Sequence, residues 1–238
     1  MEKMDLLLTN GKIVTSDETF SGAIGVKDGK IAFIGQNALK IEAKNVIDVA
    51  GKYILPGVID PHIHFQDPGF TEREDFMHGT MAAAAGGVTT VLSHPLDNPP
   101  TTTFEALKVK EDGYEGNAYV DYAIHIGATS DNIELLPDLW KKTGATAIKM
   151  FMCFSVAEFP FVQDEAMIKV LEKVAEIGAV AIIHAENDGM LKAMEEKVKA
   201  TGRKDGVAYN MTHPAEAEIE AIQRAVYYLE ITGAEGVI

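Results

Sequence analysis

The stretch Leu55-Pro-Gly-Val-Ile-Asp-Pro-His-Ile-His64 indicates both the fold and the chemistry of the chain. Val58 and Ile59 predict a short buried strand that ends in His62 and His64. Because side chains alternate between the two faces of a strand, residues two apart point the same way. The two imidazoles therefore converge at the carboxyl end of the strand, where their nitrogens can coordinate one metal ion.

Composition excludes several classes of protein. The 238 residues are 47% hydrophobic and 24% charged, which is ordinary for a globular protein of one large domain or two modest ones. The net charge of -15 opposes binding to phosphate backbones and anionic lipids, so we expect no nucleic-acid partner and no membrane. A single cysteine, Cys153, permits no internal disulfide, and the first residues carry no signal-like apolar core. These features predict a cytoplasmic location.

Residues 1–52 predict a small, partial β-sandwich-like module of antiparallel strands. Short apolar runs are separated by turn signals at Asn10-Gly11 and Asp28-Gly29. The second of these is a strong hairpin signal, because Asp-Gly suits the left-handed backbone of a two-residue turn.

From residue 53 to residue 238, apolar strands alternate with helical patterns. The predicted strands cover residues 58–64, 88–93, 119–126, 147–152, 179–184 and 236–238. This alternation indicates an α/β fold with a parallel sheet, and the lack of a GxGxxG turn after the first strand favours a (β/α)₈ TIM-type barrel. A complete barrel needs roughly 250 residues. We therefore expect a partial barrel that is incomplete after strand five to six.

Two further residues that could take part in catalysis or metal binding lie on these strands. Lys149 stands inside the apolar fourth strand, where a charge is costly without a partner. An isolated lysine of this kind usually reaches solvent or pairs with a carboxylate. His184 ends the fifth strand, where a histidine alone is typical of a core residue. In a barrel, however, reactive residues lie at the carboxyl ends of the strands. Lys149 and His184 would therefore lie near the histidine pair.

Four segments, taken in chain order, resemble the cyclic amidohydrolases. This branch of the amidohydrolase superfamily holds allantoinase, dihydropyrimidinase (hydantoinase) and dihydroorotase. The resemblance covers essentially the whole chain. The matching segments are Gly57-Val-Ile-Asp-Pro-His-Ile-His64, Ala82-Ala-Ala-Ala-Gly-Gly-Val-Thr-Thr90, Ile148-Lys-Met-Phe-Met152 and Ile183-His-Ala-Glu-Asn187.

The resemblance implies a centre of two divalent metal ions, expected to be Zn²⁺. In the family, the residues that match His62 and His64 bind the more buried ion, and the residue that matches His184 binds the second. Lys149 would carry a carbamate derived from CO₂ that bridges both ions, which would also explain a lysine in an apolar strand. The metals activate a hydroxide that opens the ring amide. The family's other metal-binding histidine and its proton-shuttling aspartate, on strands six and eight, have no counterpart in this sequence.

Candidate substrate contacts also follow from the resemblance. Gln66 stands where dihydroorotases carry an arginine for the substrate carboxylate, and Asn98 lies in a strand-two loop that departs from theirs. Phe154 replaces a hydantoinase tyrosine, Ser155 follows it, and Glu158-Phe-Pro is similar to a stretch of allantoinases. Together these features imply a cyclic ureide such as allantoin, with hydantoins close behind and dihydroorotate less favoured. Gln66, Asn98 and Ser155 are the candidate substrate contacts.

For several other residues near the strand ends, the sequence leaves two possible roles open. His94, at the end of strand two, either faces the pocket or packs, whereas His125 is expected in the core. Glu186 and Asn187 either orient His184 or cap the following helix.

The chain as a whole also keeps two interpretations. One is a zinc hydrolase, expected to form a homo-oligomer. The other is a non-catalytic fragment or scaffold relative. The four ligands argue against a scaffold, and the absent strands argue against activity of these 238 residues alone.

Overall fold

The computed structural model describes residues 3–36 and 40–238. The chain forms two compact units, Met1–Gly57 and Val58–Ile238. This boundary lies five residues beyond the predicted one between residues 52 and 53. Among the helices that the structure describes, none is long and apolar enough to cross a bilayer.

The first unit contains one five-stranded sheet in the order β3-β2-β1-β4, with β5 also paired to β1. Its strands are β1 (Met4–Val14), β2 (Thr19–Lys27), β3 (Lys30–Gly35), β4 (Ala43–Asp48) and β5 (Tyr53–Ile54). The predicted hairpin is confirmed, since Asp28 and Gly29 have φ angles of 50° and 72° and Lys27 pairs with Lys30.

Two expectations for this unit are wrong. The sheet is mixed rather than antiparallel, because β4 and β5 both run parallel to β1. Asn10 does not end a strand but lies in a bulge within β1, with φ of 57°. The bulge is held by its neighbours: the Asn10 amide donates to Asp48 at 2.9 Å, and the Asn10 carbonyl accepts from the Gly51 N–H at 2.7 Å.

The second unit alternates strands and helices, as predicted. Its strands are β6 (Val58–Ile63), β7 (Val88–Ser93), β8 (Asp121–Ile124), β9 (Ile126–Gly127), β10 (Ile148–Phe151), β11 (Val180–His184) and β12 (Glu235–Val237). Its α-helices are α1 (Phe76–Gly86), α2 (Phe104–Tyr114), α3 (Leu136–Thr143), α4 (Asp164–Ile177), α5 (Asp188–Ala200), α6 (Gly206–Thr212) and α7 (Ala215–Thr232), with a 3₁₀ turn at Ile133–Leu135.

All strand pairs described in this unit are parallel. One sheet has the order β6-β7-β8, and the other has the order β9-β10-β11-β12. The predicted third strand is broken at His125: its N–H bonds the Ser93 carbonyl, whereas the next N–H, of Ile126, bonds the Ala147 carbonyl. His125 therefore marks the point where the chain leaves β7 and joins β10. The fold class is α/β with parallel sheets.

Helices cover the sheets through apolar contacts. The larger core cluster joins β10 and β11 to α4, with Ile148, Met150, Met167 and Leu171 essentially inaccessible to solvent. The expectation that Val58 and Ile59 are buried is wrong, since they are 53% and 61% exposed. The physical reason is that β6 is an edge strand, with β7 as its only partner among the described strands.

Candidate metal centre

A pair of histidines converges at the end of β6. The alternation of side chains along the strand places the rings of His62 and His64 on one side, with their Nε2 atoms 3.2 Å apart. The strand register shifts between Asp60 and Ile63, and there the Asp60 carboxylate accepts a hydrogen bond from the His62 N–H at 3.1 Å. Tetrahedral Zn²⁺ with nitrogen ligands places those ligands about 3.4 Å apart. The pair is therefore already close to ligating geometry.

A third imidazole joins this pair from the end of β7. The His94 ring stacks on His62, with 3.8 Å between centroids, and its centroid lies 4.8 Å from that of His64. Ligand atoms of the three rings lie within 4.8 Å of one another. His94 is 1% exposed, and neither of its ring nitrogens has a hydrogen-bond partner among the described residues. The structure thus places His94 in the cluster.

Lys149 lies on β10 and is 3% exposed, in an otherwise apolar strand. Its Nζ lies 4.9 Å from the centroid of the Phe151 ring. Across the part of the chain that the structure describes, no carboxylate lies within ion-pair distance of this amine. Burial lowers the pKa of Lys149 to about 8. Burial therefore raises the fraction of uncharged amine above that of a lysine in water.

His184 ends β11 beside two other potential ligands. Its Nε2 lies 2.9 Å from the Glu186 carboxylate, and Cys153 completes a group whose ligand atoms lie within 4.8 Å of one another. Burial, followed by the charges of Glu186 and Asp188, raises the pKa of the Cys153 thiol to about 12. This cysteine is thus a protonated, buried thiol. Asn187 caps α5, since its side chain accepts from the Met190 N–H at 3.0 Å.

One cavity of about 420 Å³ unites three of the four predicted ligands, because His62, Lys149 and His184 all line it. Although the His64 residue is exposed at the surface, desolvation by neighbouring residues lowers its pKa to about 4, and the charges of His62 and Lys149 also lower it. Burial is also the main cause that lowers the pKa of His62, followed by the charge of Lys149. Both imidazoles are therefore neutral near pH 7, which is the form that ligates metals.

The three candidate substrate contacts do not line this cavity. The Gln66 side chain accepts from the Arg73 guanidinium at 3.2 Å, and its backbone is left-handed. Asn98 is exposed, and its N–H bonds the Pro68 carbonyl at 3.0 Å. Ser155 lines a different cavity, of about 490 Å³, between the end of β10 and α5 and α6. The structure thus brings the predicted metal ligands together but leaves the predicted substrate contacts apart.

His125 shows how a buried histidine differs when it is structural. Its Nε2 lies 3.1 Å from the Pro61 carbonyl, and its Nδ1 lies 3.0 Å from the Thr146 hydroxyl. Both ring nitrogens are therefore occupied, in contrast to those of His94. The expected core position of His125 agrees with its 1% exposure.

Comparison with known proteins gives the family. The model of the Amidohydrolase family matches residues 53–236. The chain is 35% identical to an L-hydantoinase of Paenarthrobacter aurescens over 98% of its own length, and 36% identical to an allantoinase of Desulfitobacterium hafniense over 100%. It covers 51% and 53% of those two proteins, so it spans about half the length of the curated relatives that it matches.

A solved structure agrees with this result. The fold superposes on an L-hydantoinase (dihydropyrimidinase) from Arthrobacter aurescens with a TM-score of 0.93 and 34% sequence identity, over 98% of this chain and 52% of that one. A D-hydantoinase structure gives a TM-score of 0.86 at 36% identity, over 97% of this chain and 50% of that one. The matching segments and the parallel α/β architecture therefore have one explanation: this chain belongs to the amidohydrolase family.

Proposed function

We propose that this chain supplies the metal-binding residues of a hydrolase that opens cyclic amides. The observation that carries the proposal is the shared cavity of His62, Lys149 and His184, which lie on three different strands. The Nε2 contact of His64 with His62 adds the fourth residue. Parallel strands bring their carboxyl ends to one edge, where α/β enzymes place their reactive groups.

The residues present fit a pair of divalent metal ions. His62 and His64 would hold one ion and His184 the other, with Lys149 bridging them as a carbamate. Neutral imidazoles and a buried amine without a carboxylate partner among the described residues suit this arrangement better than a structural ion pair does. When bound, such a metal pair polarises a carbonyl and lowers the pKa of water.

Lys149 is suited to react with CO₂ because its lowered pKa, about 8, gives a larger fraction of unprotonated amine near neutral pH than an ordinary lysine has. The amine nitrogen forms a bond to the CO₂ carbon and loses a proton to solvent, which leaves a carbamate with two oxygen ligands. The apolar surroundings that disfavour the ammonium ion thus favour the modification.

Glu186 is the group that orients His184. If the imidazole Nε2 holds the proton and donates it to the carboxylate across the 2.9 Å contact, Nδ1 keeps its lone pair for a metal. Carboxylate partners of this kind fix the tautomer of a ligating histidine and raise its basicity.

For the substrate, we propose a cyclic ureide such as allantoin. Gln66 offers a neutral amide, already engaged by Arg73, where a substrate carboxylate would need a free cation. The relatives include both allantoinases and hydantoinases at 34–36% identity. Their names therefore support a cyclic amide as the class of substrate, but they do not distinguish allantoin from a hydantoin.

A hydantoin with an apolar substituent is the second candidate, and Phe154 favours it. This side chain is 59% exposed and lines the 490 Å³ cavity next to Ser155. An exposed aromatic side chain at the wall of a cavity suits an apolar substituent better than a ureide tail.

Ring opening by the protein that contains this chain tests the proposal. We expect allantoin or a hydantoin to give a higher kcat/KM than dihydroorotate, and His62→Ala and Lys149→Ala each to lower kcat/KM by more than roughly 100-fold. His78→Ala, on the exposed face of α1, is the matched control. The highest kcat/KM with dihydroorotate would contradict the substrate, and full activity of the Lys149 variant would contradict the site.

We also propose that the parallel strands of the second unit form part of a TIM-type barrel, and that copies of the protein associate into a homo-oligomer. The family match and the parallel strand order support the first statement. Solution mass by light scattering tests the second, and a monomer at micromolar concentration would contradict it.

A further inference from the structure

We propose that His94 is a third imidazole ligand of the metal that His62 and His64 bind. This inference rests on the proposed function and adds a residue to that site. It comes from three observations: the position of the ring, the state of its nitrogens, and the way in which its main chain is held.

The ring lies against both members of the pair. It is nearly parallel to His62, with 16° between the planes, and it is tilted by 46° to His64. The three ligand atoms are within 4.8 Å of one another, and a zinc ion would bring them to about 3.4 Å. Any two of these ligand atoms would therefore have to approach by at most about 1.4 Å.

The nitrogens of His94 lack any partner among the described residues. Both are buried and unbonded, although a buried polar group without a hydrogen bond costs roughly 1–3 kcal/mol. His125, which packs edge-on against His94 with centroids 4.8 Å apart, has a bond at each nitrogen. A histidine that merely filled the core would be satisfied in the same way. A metal ion supplies the partner that His94 lacks.

The main chain of His94 is anchored at both of its polar groups. Its N–H donates to the carbonyl of Ile63, the residue between the two histidines, at 3.0 Å. Its carbonyl accepts from the Nζ atom of Lys110 at 2.7 Å, and the same Nζ bonds the Asp97 carboxylate at 2.7 Å. Lys110 is therefore a positioning residue, because it holds the main chain from which the His94 side chain extends.

The test measures cobalt binding by the full chain after metal removal. We expect His94→Phe, which keeps an aromatic ring stacked on His62, to weaken Co²⁺ binding by more than the roughly 10–100-fold that loss of an outer partner costs. The visible Co²⁺ absorption band should also shift, because the number of nitrogen ligands changes. His62→Phe should weaken binding similarly, and His78→Phe, outside the cluster, should leave the affinity and the spectrum unchanged.

Each outcome decides a different statement. Unchanged Co²⁺ affinity and spectrum in His94→Phe, with loss in His62→Phe, would overturn the inference and leave the proposed function standing. Failure of the unaltered protein to bind Co²⁺ would overturn both. If His94→Phe does not fold, a crystal structure of the zinc-loaded protein decides: a His94 nitrogen about 2.0–2.1 Å from the metal supports the inference, and one beyond bonding distance contradicts it.

Discussion

Lys149 makes the stability of the metal-free protein depend on pH. Its pKa is about 8 in the folded chain against 10.5 in the unfolded chain, so between these values the unfolded state binds more protons. The free energy of unfolding therefore rises with pH across this window, by up to roughly 3 kcal/mol from this group. Urea unfolding of the metal-free chain between pH 7 and pH 10.5 measures the effect.

Two variants isolate this contribution. Lys149→Met removes the buried amine, so its stability should exceed that of the unaltered protein most clearly below about pH 8, with the difference shrinking as pH rises. Lys141→Met, at an exposed position on α3, is the matched control and should follow the unaltered protein. A constant difference between the Lys149 variant and the unaltered protein at every pH would contradict the argument.

The buried pair of Asp97 and Lys110 permits a second prediction. Their side chains are 1% and 0% exposed, and burial raises the pKa of Asp97 and lowers that of Lys110, each opposed by the other's charge. Asp97→Asn or Lys110→Met should cost roughly 3–5 kcal/mol of unfolding free energy, because one charge stays buried alone. The double variant should lose clearly less than the sum of the two single losses. Additive losses would show that the two charges are not coupled.

Single residues were predictable only where a local rule fixes their direction. The alternation of side chains along a strand was sufficient to predict the convergence of His62 and His64. It did not decide the orientation of His94, because that residue follows the last residue of β7 and depends on its bond to Ile63. Gln66, Asn98 and Ser155 lie in connections between elements, where no period fixes a direction.

At the level of the elements, glycine-to-alanine substitutions in α1 and α2 test how closely these two helices are packed. Ala at a helical position normally stabilises by roughly 0.5–1 kcal/mol relative to Gly. A Cβ at Gly79 in α1 would lie 2.2 Å from the Phe65 ring, so Gly79→Ala should destabilise. A Cβ at Gly113 in α2 would meet open space, so Gly113→Ala should stabilise. Thermal unfolding of both variants checks the opposite signs, and equal signs would refute this account of α1 packing.

Elements with many regular positions were predicted best. The buried apolar residues of α4 (Asp164–Ile177) recur with a helical period on one face, which is the pattern that predicts a helix. The short α6 has no periodic signal in the sequence, because seven residues with a single buried alanine provide no period. The sequence signal at Asn10 is the same for a turn and for a bulge, since a left-handed residue serves both, and only the parallel partner β4 distinguishes them.

At the scale of the whole molecule, the α/β class with parallel strands was predictable because its signal is spread over six strands and the helices between them. A substitution in any one segment would leave the strand and helix patterns of the other segments recognisable. The substrate was not predictable to one ring, because a few loop residues decide it and the relatives include both allantoinases and hydantoinases. The break at His125 also escaped prediction, since it arises where the chain changes hydrogen-bonding partners between β7 and β10.

Above all, we propose that the buried Lys149 becomes a carbamate that bridges the metal ions. Carbon-13 NMR of the zinc-loaded protein prepared in labelled bicarbonate tests it most directly. We predict one carbamate carbon signal, which is absent from Lys149→Met and disappears when zinc is removed. A protein that holds two zinc ions and shows no carbamate signal would contradict the claim.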